Sequence, residues 1–584
     1  MFSKIIALFM SAIMSVTGLS FGSLETVLDS LSQTLIGVPL SEKSVKSDFF
    51  GKMSVEDIVE IDSDTAYIKD KLVVFLKPDL SYFEKVSFFM DCGGRLAGWC
   101  APVDMYVLNW NADDYDDIEA KCESLNAEPC VEIAVPAFAS KVAPQLTPDD
   151  PFEDENDPDF GYQAEPEVIW DESSPKGRNW WLEVIDARQA WNYEEFFNPV
   201  KVGILDAGFD TEHEELAGKI SFPNSKQERR NLPDDHGTHV AGIIAAERNN
   251  GVGLAGVCDH AELICADWSP DGLFQFWLVD LAILFAFNDV VSAGAKVINL
   301  SLGVSASVSD NDAGFIGGVL LPKLSSLIMA SLLEDGYDFL VVQAAGNGNA
   351  RGEPIDVLQN GNFCSLSEDN IYVGSHDVST DDILNRIVRV ASVGGYNGRN
   401  RYYISTFSNV GESVDIAAPG EDIYSTTYSY DYSYMSGTSM AAPIVTGVAA
   451  LVWSVNPSLT GDKVKEIICT STDSRAYALD GMNYSYGLPD PDYPIVNAGL
   501  AVEKALAEKG TEFGTVAGKV DGDGYTVKFD GEELAVDAQG YFFKAASVGE
   551  HTVTVFAPDG TVSYETVINV ENGNSYTVNE LIYL

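Results

Sequence analysis

The sequence predicts an α/β fold: a mostly parallel sheet covered by helices, preceded by a small α+β module and followed by a small all-β sandwich. Three observations carry this reading. Between about residues 200 and 345, the apolar runs VGILD, VINLSLG and DFLVVQAAG end in small or polar residues and are separated by helical stretches. That alternation is expected of parallel strands joined by covering helices. Earlier, LVVFL, MYVLNW and VEIAV read as strands and DDIEAKCESLN as an amphipathic helix. Beyond about residue 509, segments such as TVAGKVDGDGYTVKF and TVSYETVINVENGNSYTV alternate apolar and polar residues between Gly, Asp and Asn turns, as in a small antiparallel sandwich.

A chain of 584 residues is too long for one core and divides accordingly. Residues 1–22 place Lys4 before an apolar stretch and then small residues, the pattern of a secretory signal peptide. No second apolar run reaches the roughly 20 residues that span a bilayer, so a secreted protein with no transmembrane segment is expected. Residues 23–144 hold the α+β module, 145–172 an acidic linker without Lys or Arg, 173–508 the α/β domain, and 509–584 the sandwich. With 35 basic and 89 acidic residues the net charge is −54, which repels phosphate backbones and argues against a nucleic-acid partner. The eight cysteines fit no zinc-ribbon spacing. Export permits disulfides, and buried free thiols are the competing reading.

Four polar residues stand out. Asp206 ends the strand KVGILD beside a glycine turn, and His236 opens HGTHVAGIIAA, where Gly237 permits close approach. Ser439 lies in GTSMAAP at the mouth of an apolar helix, and Asn347 lies in AAGNGN after a strand. Taken singly, a helix cap explains the carboxylate or the serine, and a turn explains the asparagine. A metal site at His236 and His239 is the weaker reading, because Gly and Thr stand where a zinc helix needs its Glu. Together, a hydroxyl, an imidazole, a carboxylate and an amide donor are the parts needed for nucleophilic acyl transfer. Pro443 has no N–H for the Ser439 carbonyl, so a distorted first turn is expected.

These segments, ILDAGFD, DDHGTHVAGIIAA, AAGNGN and GTSMAAPIVTGVAAL in this order, resemble the subtilisin-like serine proteases, the subtilases, over roughly residues 180–507. The resemblance implies a secreted serine endopeptidase with Asp206, His236 and Ser439 as the triad and Asn347 as oxyanion donor. It implies that Ser301, Leu302 and Gly303 form one substrate-binding edge, and that Ala344, Ala345 and Gly346 form the facing wall of the first pocket. The stretch ERNNGVGLAGV resembles a structural calcium loop, with Asn250 and Glu215 as ligands, although Glu replaces the usual Asp and Arg248 is an unusual neighbour.

The early module resembles the family's propeptide, an intramolecular inhibitor, with maturation between Ala139 and Asn156 of a self-processed zymogen. The insert 304–337 is placed beside the substrate edge, and Met440 beside the nucleophile, where its oxidation impairs turnover. The C-terminal unit resembles carboxypeptidase-regulatory or transthyretin-like modules. The expected partners are protein or peptide substrates, the acting species a monomer, and no cofactor is needed for catalysis. The alternative is a catalytically silent scaffold serving binding or adhesion through that sandwich. Side-chain specificity does not follow from the sequence.

Overall fold

The computed structural model describes residues 45–46, 57–61, 65–141 except 79, 180–303 except 232, 249, 251 and 268–276, and 314–578 except 350–351, 398–400, 480–489, 521–523, 535 and 537–540. The expected signal segment, the acidic linker and the first part of the insert, 304–313, lie outside these residues.

Apolar, β-branched runs too short for helices make the central sheet of ten strands. Through its middle run Ala261–Asp267, Val200–Asp206, Val297–Leu300, Leu340–Ala344, Ile387–Asn397 and Ile416–Pro419, in that spatial order and all parallel. Toward one edge the sheet becomes mixed, because Ile387–Asn397 also pairs antiparallel with Arg401–Ile404. Register matters more than strand count here. Leu205 is level with Leu300, and Leu300 with Gln343, so the next residues, Asp206, Ser301 and Ala344, emerge side by side at one carboxyl edge. Ligands of open α/β sheets bind at that edge.

The helix Thr438–Val455 passes through the core, with every residue except Ser439 buried. Among the described residues it alone is long and apolar enough to cross a membrane, with a mean hydropathy of 1.6, yet it is wholly enclosed by protein. Its neighbour Asp235–Ala245 packs against it and is just as buried beyond its first residue. Gly447 permits a close approach to Val257, whose Cβ lies 2.5 Å from where a Cβ on Gly447 would stand.

The N-terminal module is an antiparallel sheet, Arg95–Cys100, Met105–Asn109, Thr65–Leu76 and Val131–Lys141, with helices Tyr82–Asp91 and Tyr115–Asn126. The strand Arg95–Cys100 and the helix Tyr82–Asp91 went unforeseen: Gly98 and an Arg weaken the first pattern. The sheet continues into the α/β domain, where Trp277, Leu278 and Val279 pair antiparallel with Lys141, Ser140 and Ala139. The helices Asp280–Ser292 and Gly314–Glu334 share one apolar core with the module. The insert's apolar helix thus lies under the module, against Asp280–Ser292 and the turn Ala101–Val103.

The C-terminal unit has a three-stranded and a four-stranded sheet over a core that includes Val516, Phe529, Phe542 and Val553. The expectation of purely antiparallel pairing is corrected by Ser575–Val578, which runs parallel to Phe513–Lys519. The chain reaches that strand from the opposite sheet and enters beside Phe513–Lys519 in the same direction. Phe513 packs edge-on to Tyr193 at 5.5 Å, and Lys544 pairs with Glu194 at 3.0 Å, which docks the unit on the α/β domain.

All eight cysteines are free thiols, and six are buried. Of the two readings left open by the sequence, the structure has free thiols, six of which pack as small apolar groups while Cys130 and Cys469 are half-buried. Denatured without reductant, the protein is expected to show eight reactive thiols in a colorimetric thiol titration. A count of six or fewer contradicts this.

Candidate active site

Asp206 leaves the strand Val200–Asp206 where Gly208, at φ +59°, turns the chain. Its Oδ1 accepts the Ala207 N–H at 2.7 Å and lies 2.6 Å from His236 Nδ1. An ionised carboxylate only accepts, so Nδ1 carries the proton and Nε2 keeps the lone pair. The close approach depends on Gly237. A Cβ there would stand 2.1 Å from the Gly208 carbonyl oxygen and 2.7 Å from that of Ala207. Asp234 caps the helix, its Oδ1 accepting the His236 N–H at 3.0 Å. Burial alone would push the imidazole's pKa down. The charge and hydrogen bond of Asp206, together with the charge of Asp234, outweigh that, and the ring titrates above its ordinary value.

Ser439 is the second residue of the helix Thr438–Val455, whose N-cap is Gly437 with no side-chain cap. The cap weighed as an explanation for Ser439 is therefore not found, and the two neighbouring hydroxyls hold other groups. The Ser436 hydroxyl accepts the Asp422 N–H at 2.9 Å, and Thr438 serves Asn347. Both the N–H and the hydroxyl of Thr438 donate to Asn347 Oδ1, each at 2.9 Å. With its carbonyl occupied in this way, the Asn347 amide presents Nδ2 as a donor. A Cβ built on Gly437 would lie 3.2 Å from that Nδ2 and 3.6 Å from the Ser439 backbone nitrogen. Two N–H donors therefore border one space, which Gly437 leaves clear.

The distorted first turn expected at Pro443 is not found, and the helix runs unbroken from 438 to 455. The Ser439 carbonyl, which Pro443 cannot serve, instead accepts a hydrogen bond from the Ser301 hydroxyl at 2.7 Å. Asn299 Nδ2 donates to that hydroxyl at 3.0 Å, and Thr446 holds Asn299 Oδ1 at 2.9 Å. The Ser439 hydroxyl itself donates to the Ser301 carbonyl at 3.3 Å. The sequence singled out the Ser301 backbone but missed its side chain and Asn299. The signal was present in the pairing of Pro443 with a carbonyl four residues earlier.

The strand ends Ser301-Leu302-Gly303 and Ala344-Ala345-Gly346 flank this centre on adjacent parallel strands. His239 stands apart from it, with Nε2 3.1 Å from the Ser433 carbonyl and its pKa pushed down to about 3 by burial. Among the described residues no group of three His, Cys, Asp or Glu side chains could hold a metal. Glu215 and Asn250 do come together, but against each other. Asn250 Nδ2 donates to Glu215 Oε2 at 2.8 Å, and the Leu254 N–H donates to Oε1 at 2.9 Å. Both carboxylate oxygens face N–H donors, and Arg248 turns away to Asp259 and Glu194. This side-chain arrangement does not fit a calcium ion. Met440 is buried at 2% exposure.

A sequence model of the subtilase family matches residues 198–488. The chain is 32% identical to thermitase of Thermoactinomyces vulgaris over 274 residues, 46% of this chain and 80% of that protein. It is 30% identical to the major intracellular serine protease of Bacillus subtilis over 295 residues, 49% of this chain and 78% of that protein. A thermophilic serine proteinase of Bacillus sp. AK1 is 28% identical over 404 residues, covering 67% of this chain and 79% of its own. Among solved structures, fervidolysin from Fervidobacterium pennivorans, a keratinolytic enzyme related to subtilisin, covers 90% of this chain and 82% of its own at a TM-score of 0.52 and 18% identity, a likeness of fold.

Removing the Asp234 charge removes one of the groups that raise His236. Titration of the ring by NMR is expected to give a midpoint above the ordinary value of about 6.5, and a lower one in Asp234→Asn, where the cap is retained. An unshifted or higher midpoint in the variant contradicts this.

Proposed function

The chain belongs to the subtilase family, and from that premise we propose that it is a secreted serine endopeptidase, made as a self-processed zymogen, that hydrolyses peptide bonds in extended polypeptides. The observation that carries the chemistry is the junction at the carboxyl edge of the sheet. Asp206, which holds His236, emerges there beside Ser301, whose hydroxyl bonds the Ser439 carbonyl, and Thr438 at the same helix start fixes the Asn347 amide, which supports the reading.

In this proposal the Ser439 hydroxyl turns from the Ser301 carbonyl to His236 Nε2, the ring's remaining acceptor. It loses its proton there as Oγ attacks the scissile carbonyl. Asp206 holds the proton on Nδ1 and stabilises the imidazolium that forms. The carbonyl oxygen becomes an oxyanion, and Asn347 Nδ2 and the Ser439 N–H border the space for it, at the positive end of the helix. Imidazolium then protonates the leaving amine, and water repeats the sequence to release the acyl group. Because the base must be neutral, activity rises as pH increases through the raised titration of His236. Extended substrate pairs by main-chain bonds with Ser301-Leu302-Gly303, and Ala344-Ala345-Gly346 faces the side chain that precedes the scissile bond.

The zymogen reading is supported by the way the N-terminal module meets the α/β domain. Residues 139–141 already pair as an added antiparallel strand with Trp277–Val279. On the same strand of the module, Glu132 accepts hydrogen bonds from the Tyr372 hydroxyl and, at 2.7 Å, from that of Ser375. Secretion is supported by the pattern of the first 22 residues.

The Ser439→Ala protein is expected to lose casein hydrolysis by at least roughly 10⁴-fold, the scale on which losing a serine nucleophile acts. It should also accumulate uncut precursor, read by intact mass. Undiminished hydrolysis would overturn the assignment, and normal processing would overturn self-cleavage.

A further inference from the structure

We infer that Asn360 closes the first pocket from within and restricts cleavage to peptide bonds that follow a small residue, Gly, Ala or Ser. The inference rests on the endopeptidase reading and names its substrate class.

The two walls of that pocket leave adjacent parallel strands, and each ends in a glycine, Gly303 and Gly346. A missing side chain at both positions would ordinarily leave the space between them open. Here the Asn360 amide reaches both positions, with Asn409 Nδ2 also 2.4 Å from a Cβ built on Gly346. A Cβ built on Gly303 would stand 2.1 Å from Asn360 Oδ1, and a Cβ built on Gly346 would stand 2.3 Å from the same oxygen. Asn360 is 2% exposed, so its amide lies between the walls and not on the rim.

The plug is anchored. Asn360 Nδ2 donates to the Ala344 carbonyl at 2.8 Å, on one wall. Asn360 itself ends the turn Val357–Gln359 and is followed by the turn Asn362–Ser365. Gln343 ties that second turn to the other wall, donating to the Leu302 carbonyl at 3.1 Å and accepting the Cys364 N–H at 2.9 Å. The Cys364 thiol donates to the same Ala344 carbonyl at 3.3 Å. Swinging Asn360 aside would break its bond to a buried carbonyl within a packed layer that has no slack. A methyl or hydroxymethyl side chain fits above the amide, whereas an aromatic or long aliphatic one meets it.

The full-length chain, allowed to mature, is assayed on tetrapeptide p-nitroanilides that differ only in the residue before the scissile bond. The wild type is expected to give kcat/KM at least tenfold higher for Ala than for Phe or Leu. Asn360→Gly should raise the Phe-to-Ala ratio at least tenfold, and Asn360→Ser should raise it by less. A wild type that cleaves after Phe as well as after Ala overturns the inference, and so does a ratio unmoved in both variants. If neither variant folds, the wild-type ratio decides. Failure of the endopeptidase reading looks different: no fluorophosphonate adduct on Ser439 and no hydrolysis of any peptide.

Discussion

One carbonyl governs the geometry of this site. Ser439 sits at the start of a buried helix, and Pro443, four residues on, has no N–H to offer its carbonyl. In an ordinary helix that oxygen is held within the helix. Here it is free to be held from outside, and the Ser301 hydroxyl at the end of the neighbouring strand takes it at 2.7 Å. The helix start is thereby pinned to the sheet edge, and the pin is itself fixed through Asn299 to Thr446, about two turns farther along the same helix. A residue that usually breaks helices instead joins a helix to a sheet.

The remaining groups inherit their positions from that junction. Thr438, one residue before Ser439, fixes Asn347 by its carbonyl and so orients the amide N–H groups. The Gly346 N–H in turn donates to the Thr438 hydroxyl at 3.0 Å, which ties the segment Ala344-Ala345-Gly346 to the same junction. On the other side, Gly237 lets His236 approach the end of its strand until Asp206 can hold the ring at 2.6 Å. Each of these side chains is set by buried neighbours on regular elements, which is what keeps a site preorganised. Burial has a cost for the imidazolium, and two carboxylates nearby offset it.

Much of this was legible in the sequence, for physical reasons. Asp206, His236, Asn347 and Ser439 lie at ends of apolar runs, where chemistry has to be placed in an α/β sheet, and glycine and small residues mark the close approaches. The early module was legible where its pattern was periodic, in LVVFL and DDIEAKCESLN, and not at Arg95–Cys100. Asn360 was invisible, because its meaning depends on two glycines 57 and 14 residues away in the chain meeting one amide. Glu215 and Asn250 were read as ligands of one calcium ion, and they lie hydrogen-bonded to each other. A sequence pattern does not say which way an amide turns.

The most direct test of the junction is the rate at which a small fluorophosphonate labels Ser439, since the reagent needs the nucleophile but no peptide subsite. Ser301→Ala is expected to slow labelling about tenfold, the effect of one lost hydrogen bond near the upper end of its usual worth. Adding Pro443→Ala supplies a backbone N–H four residues after Ser439, and the double variant should recover most of the rate. Labelling at the wild-type rate in Ser301→Ala, or no recovery in the double variant, would contradict the claim that this carbonyl sets the nucleophile.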